Sequence, residues 1–138
     1  MLPVAILAGG LATRLRPVTE RIPKALVKVA GRPFICWQLE YLRTQGIQRV
    51  TLCIGHLGEM VEAEVGNGAR FGLDVSYMPD GPVLLGTGGA LRRALPLLGE
   101  AFFVLYGDSF LPVAFKAVED AYFSSGKPAL MTVLANAD

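Results

Sequence analysis

The sequence predicts an α/β protein with a Rossmann-like, doubly wound and mostly parallel sheet. Short β-prone runs alternate with longer segments of helical period, and several of those runs are apolar on both faces. One glycine-rich, basic stretch interrupts the alternation near the amino terminus. Strands apolar on both faces are what a parallel sheet covered by helices needs, and a β–α alternation closes into the doubly wound arrangement.

Residues 4–7 predict the first strand. Residues 9–32 follow as a long loop at that strand's carboxyl end, where open α/β sheets bind ligands. Residues 33–45 predict a helix with proline at its start and Gly46 at its stop. A strand over 50–54 leads to a helix over 57–65, which carries Leu57, Met60, Val61 and Glu64 at helical spacing and ends at Gly66. A strand over 73–77 precedes a helix over 88–95 that Pro96 is expected to cut. A strand over 102–106 is followed by a helix over 112–124, with Ala114, Ala117, Val118 and Ala121 as its apolar stripe. Residues 130–134 predict a fifth strand.

Composition narrows the function classes. With 138 residues, the chain is expected to be a single domain. Thirteen Lys and Arg against twelve Asp and Glu leave a net charge of +1, which argues against a polybasic nucleic-acid or membrane-surface binder. A hydrophobic content of 52% with 18% charged residues excludes disorder. Cys36 and Cys53 sit in apolar runs rather than a CxxC pair, and read as buried free thiols in a reducing compartment. Residues 1–12 are apolar but lack a positive leading region, and Gly9-Gly10 interrupts them, so a signal sequence is not expected. No run approaches the roughly 20 apolar residues of a membrane span. The expected location is the cytoplasm.

The loop carries the chemistry. Ala8-Gly9-Gly10 at a strand end lets backbone approach a ligand closely, and Arg14, Arg16, Arg21, Lys24 and Lys28 place five cations within fifteen residues. Arginine forks and lysine point charges behind glycines suit a polyphosphate; the competing reading is a solvated basic loop. There is no GxxxxGK[ST] and no GxGxxG, so neither a P-loop nor a dinucleotide fingerprint is present.

This segment resembles the signature of the sugar-nucleotide pyrophosphorylases, the sugar-phosphate nucleotidyltransferases. The matching residues are Leu7-Ala8-Gly9-Gly10, Thr13-Arg14-Leu15, Pro17, Thr19, Pro23-Lys24, Leu26, Val29, Gly31 and Pro33, with Ala12 where glycine is commoner. Two later segments are similar to further family elements and keep the family's order: Leu85-Gly86-Thr87-Gly88-Gly89-Ala90-Leu91, and Tyr106-Gly107-Asp108. The resemblance implies attack by a sugar 1-phosphate on the α-phosphorus of a nucleoside triphosphate, giving an NDP-sugar and pyrophosphate with Mg²⁺ as cofactor. It implies that Leu7, Ala8, Gly9, Gly10, Thr13, Gly86 and Thr87 contact the nucleotide. Arg14 would steady the triphosphate, Lys24 would bridge the α-phosphate and the sugar phosphate, and Asp108 would hold Mg²⁺. The flavour of the match is closest to bacterial enzymes that activate heptose, mannose-like or muramate 1-phosphates for surface polysaccharide, and less like the glucose 1-phosphate thymidylyltransferases. Family members run longer and place a second Mg²⁺-binding Asp and most sugar contacts in a later segment. The chain is therefore expected to be the nucleotide-binding portion, whether a fragment, a truncated reading frame or a small protein that works as an oligomer or with another chain, with a non-catalytic nucleotide-binding or regulatory module as the alternative.

Plainer readings stand beside these. Asp108 alone could cap a helix, Lys24 could be a solvated tip, and residues 86–89 could be a flexible turn into a helix. His56 reads as structural or at most ligand-adjacent, and Trp37 and Tyr41 as packing residues.

Overall fold

The computed structural model describes residues 1–10 and 17–135. In chain order its elements are β1 (Val4–Ala8), α1 (Val18–Arg21), a 3₁₀ turn (Lys24–Leu26), β2 (Lys28–Val29), β3 (Arg32–Pro33), α2 (Phe34–Thr44), β4 (Arg49–Ile54), α3 (Gly58–Val65), a second 3₁₀ turn (Ala69–Phe71), β5 (Asp74–Pro79), α4 (Gly86–Leu98), β6 (Phe103–Tyr106) and α5 (Phe115–Ser125). The main sheet has the order β5-β4-β1-β6, and all of its pairings are parallel. The chain thus steps outward from β1 to β4 and β5, then returns to the far side of β1 for β6. That reversal puts a topological switch beside β1, and the crevice at the carboxyl ends of the strands is where such sheets take ligands.

Helices cover both faces, as the apolar strands require, but unequally. On one face Val4, Ile6, Val50 and Leu52 pack with Ile35, Leu39 and Leu42 of α2, Val61 and Val65 of α3, and Phe115 of α5. On the other, among the described residues, α4 alone rests Ala90, Ala94 and Leu98 on Ala5 and Cys53. The i, i+4, i+8 spacing makes those three one stripe, and small side chains let the helix come close to the sheet. α4 does not reach over β6. Val104 and Tyr106, which share a face with Ala5 and Leu7 by register, are 42% and 56% exposed.

The structure corrects four expectations. Residues 9–32 are not all loop: α1, a 3₁₀ turn and the β2–β3 hairpin lie within or beside them. The hairpin turns at Ala30 and Gly31, both at positive φ, the geometry that matches strand twist. Pro96 does not cut α4 but sits in its last turn, where the missing N–H forfeits one bond and buried Leu98 holds the turn down. In α5 the stripe Ala114, Ala117, Val118 and Ala121 is not the buried one; Phe115 and Glu119 are. Phe115 has more apolar area to bury and stacks edge-on against Phe103, and Glu119 accepts a 2.6 Å bond from the Leu2 N–H. Residues 130–134 form no strand, since no described strand lies alongside to ladder with them.

Trp37 and Tyr41 pack as expected. Trp37 donates to the Val29 carbonyl at 2.8 Å with the Arg32 guanidinium over its ring, and Tyr41 donates to the Val113 carbonyl. Arg32 also grips Glu40 with both guanidinium nitrogens, so the hairpin is pinned to α2 from two sides. Among the described residues, no helix is long and apolar enough to cross a membrane.

Candidate functional site

The strand ends open into one cavity of about 300 Å³. Leu7, Ala8, Gly9, Gly10, Lys24, Gly86, Thr87 and Asp108 all line it. These residues come from four separate stretches of sequence, and the fold brings them together at the switch. Thr13 and Arg14 lie outside the described residues.

Each contributing element has a local reason for its position. β1 is the central strand, with Val4, Ala5 and Ile6 fully buried, so its carboxyl end delivers Gly9 and Gly10 to a fixed place. A Cβ on Gly10 would meet nothing within 4 Å among the described residues, so their packing does not demand glycine there, whereas close approach of a ligand would. At Gly107 a Cβ would lie 2.9 Å from the Leu7 carbonyl oxygen, so β6 can end against β1 only without a side chain. Lys24 starts the 3₁₀ turn whose Ala25 is buried in the core, and this anchors the lysine over the strand ends. Gly86 opens α4 at φ +71°, a conformation that favours glycine, and with Thr87 it turns the amino end of α4 toward the cavity.

Lys24 and Asp108 form the charged wall. The Lys24 Nζ donates to Asp108 Oδ2 at 2.7 Å, and the two side chains are 37% and 42% exposed. That hydrogen bond is the main reason the Asp108 carboxyl lies below the usual carboxylate range. Asp108 caps no helix: it lies in the turn after β6, and the next helix starts at Phe115. Among the described residues, no three acidic, His or Cys side chains cluster to hold a metal. A single accessible carboxylate suits Mg²⁺, which typically takes one or two carboxylates and completes its shell with phosphate oxygens and water.

The opposite wall contains a carboxyl that sequence reasoning missed. Asp80 is 6% exposed, follows β5 directly and lines the cavity with Leu84, Ala90 and Cys53. Its backbone carbonyl accepts a 2.9 Å bond from Arg93 of α4, and its Oδ2 accepts a 3.4 Å bond from the Leu85 N–H. Asp80-Gly81-Pro82 has the composition of a turn, which disguises the acid. Its position at a strand's carboxyl end, level with Gly9 and Asp108, was the available signal. Both cysteines are buried free thiols, as expected. Burial, with Asp80 as the lesser cause, pushes the Cys53 thiol up to about 11, so it is no nucleophile at neutral pH.

The profile of the nucleotidyl transferase family matches residues 4–137. The chain is 38% identical to an N-acetylmuramate alpha-1-phosphate uridylyltransferase of Neisseria meningitidis over 81% of its length and 49% of that protein's. It is 34% identical to a D-glycero-alpha-D-manno-heptose 1-phosphate guanylyltransferase of Campylobacter jejuni, over 78% of this chain and 48% of the relative. Among solved structures, HddC from Yersinia pseudotuberculosis superposes with a TM-score of 0.79 at 33% identity, covering 88% of this chain and 54% of HddC. The chain thus spans about half the length of these relatives.

Proposed function

Because the chain belongs to the nucleotidyl transferase family, we propose that its pocket binds a nucleoside triphosphate and supports nucleotidyl transfer to a sugar 1-phosphate. In that reaction a sugar-phosphate oxygen forms a bond to the α-phosphorus, the bond from the α-phosphorus to the β-phosphate oxygen breaks, and pyrophosphate leaves. The nucleophile is already ionised near neutral pH, so no general base is required. What must be supplied is alignment and charge neutralisation.

One observation carries this reading: glycines of the first strand end, Lys24, Asp108 and the start of α4 converge on one cavity. Backbone at Leu7, Ala8, Gly9 and Gly10, with Gly86 and Thr87 opposite, would hold the nucleotide. Lys24 would let go of Asp108 and bridge the α-phosphate and the incoming sugar phosphate. Arg14, and Thr13 beside it, would steady the triphosphate. Asp108 would hold Mg²⁺, which when bound neutralises phosphate charge. Asp80, an acceptor on the more enclosed wall, would face donor groups of the base.

The relatives named for muramate and heptose 1-phosphates support a place in bacterial surface-polysaccharide precursor synthesis. The buried free thiols support the cytoplasm. A second reading is a non-catalytic nucleotide-binding or regulatory module, set beside the first because the chain spans about half the length of these relatives. Pyrophosphate release from UTP, GTP and dTTP against muramate, heptose, mannose and glucose 1-phosphates tests the first reading. Turnover that falls at least about a hundredfold in Asp108→Ala is expected. Nucleotide binding by calorimetry without any product would establish the module instead, and absence of both would end the proposal.

A further inference from the structure

We propose that Gln38 is a positioning residue for Asp108, an inference that rests on the reading of Asp108 as the group that holds the metal. Gln38 lies on α2 and is 4% exposed, amid the apolar stripe of Ile35, Leu39 and Leu42. Its side-chain amide donates to two backbone carbonyls, Tyr106 at 3.0 Å and Ser109 at 2.8 Å. Those carbonyls bracket Gly107 and Asp108. The same turn is tied to β1 by the Gly107 N–H on the Leu7 carbonyl and closed by the Ser109 N–H on the Tyr106 carbonyl. One buried amide therefore fixes both flanks of the segment that presents the carboxylate.

The other half of that amide argues against a purely structural role. Among the described residues, Gln38 Oε1 is the buried side-chain polar atom without a hydrogen-bond partner. A buried unsatisfied acceptor is costly, and methionine of similar length would fill the stripe without one. Its benefit lies in where the two N–H bonds hold the turn. Asp108 itself is half-exposed and its only inter-element partner among the described residues is the exposed Lys24, so its placement depends on the backbone beneath it. Side chains that orient a metal-holding group from behind change metal affinity without touching the metal.

The test is Mn²⁺ binding followed by electron paramagnetic resonance, on the full chain with UTP, GTP and dTTP in turn. Gln38→Met should weaken Mn²⁺ binding about tenfold, the lower end of what outer partners contribute. Nucleotide binding in EDTA should stay within about twofold, a split that general loosening of the fold would not produce. Gln38→Asn keeps the amide but falls one methylene short of the carbonyls; it should behave alike, and carries the test if the methionine variant fails to fold. In an Asp108→Asn background, Gln38→Met should add no further loss. Mn²⁺ affinity unchanged in both single variants, or an equal loss that persists without Asp108, overturns the inference. If Asp108→Asn itself leaves Mn²⁺ binding intact, or the natural chain binds no Mn²⁺ with any of the three nucleotides, the metal reading fails and takes this one with it.

Discussion

The two walls of the pocket are built on opposite terms. On one, Lys24 and Asp108 are more than a third exposed and satisfy one another. On the other, Asp80 is almost wholly buried, its main chain tied to α4 through Arg93, among Cys53, Leu84 and Ala90. An exposed ion pair is worth under about 1 kcal/mol and exchanges partners readily. A buried carboxyl held by its backbone does not rearrange. The charged wall is thus suited to trading its internal partner for phosphate and metal, and the enclosed wall to presenting a fixed shape to whatever is recognised.

The sharpest way to break this contrast is Lys24→Met. Turnover should fall about a hundred- to a thousandfold, as when a charged donor to the reacting phosphate is removed. Mn²⁺ binding to the nucleotide-free chain should instead tighten, because Asp108 no longer has a resident cation. The Asp108 carboxyl, held low chiefly by the Lys24 hydrogen bond, should return upward toward the ordinary range in a ¹³C-detected titration. The sign follows from a depressed folded value. The pair's small contribution to stability is present above the ordinary carboxyl range and lost as pH falls through the lowered one. A titration of Asp108 unchanged by the substitution would mean the pair does not persist in solution.

Two glycines separate the walls mechanically. A Cβ on Gly107 would meet the Leu7 carbonyl at 2.9 Å, and one on Gly55 would meet the Gly9 carbonyl at 2.7 Å and Asp80 Oδ2 at 3.2 Å. The nearest opposing atom at each is a backbone carbonyl oxygen, so alanine at either position should destabilise the chain by about 1–3 kcal/mol in urea unfolding. Gly107→Ala should weaken Mn²⁺ binding more than nucleotide binding, because it displaces the Asp108 turn. Gly55→Ala should do the reverse. Equal effects on both ligands would show that the walls move as one.

How much of this was legible in the sequence follows from the range of each interaction. β1, β4, β5 and β6 were found because strands apolar on both faces announce a covered parallel sheet. The glycine and lysine positions of the first wall were found because they form a local pattern. Asp80 was not, since a strand-end acid in Asp-Gly-Pro looks like a turn until β5 is placed next to β4 and β1. Gln38 interrupts the stripe of Ile35, Leu39 and Leu42, a visible anomaly, but its partners lie about seventy residues away at 106 and 109. The α5 stripe was misjudged because alanines at helical spacing outnumber one phenylalanine, and area rather than count decides which side turns inward. Residues 130–134 have strand composition, but a strand exists only through its neighbour.

A gentler probe of the enclosed wall is Asp80→Asn, which keeps the shape and converts a pure acceptor into an acceptor and donor. If Asp80 faces base donors, relative binding among UTP, GTP, CTP and ATP should change by about tenfold while Mn²⁺ affinity per bound nucleotide stays put. An unchanged order of preference would remove Asp80 from recognition.

The smallest effect on ligand binding is expected at Cys53, and its labelling reports on whether the enclosed wall is as closed as its geometry indicates. Its thiol is pushed up to about 11, first by burial and second by the Asp80 carboxyl. At pH 8 only about one molecule in a thousand then carries the reactive thiolate, so iodoacetamide should label Cys53 roughly a hundredfold more slowly than an ordinary thiol. Peptide mass spectrometry would separate it from Cys36, and Cys53→Ala should leave nucleotide binding nearly unchanged. Asp80→Asn removes the lesser of the two causes, so labelling should quicken only slightly and remain far below the free-thiol rate. Labelling at that rate in the natural chain would mean this wall opens to water as readily as the one across from it, and the division of labour between rigid recognition and exchangeable charge would not hold.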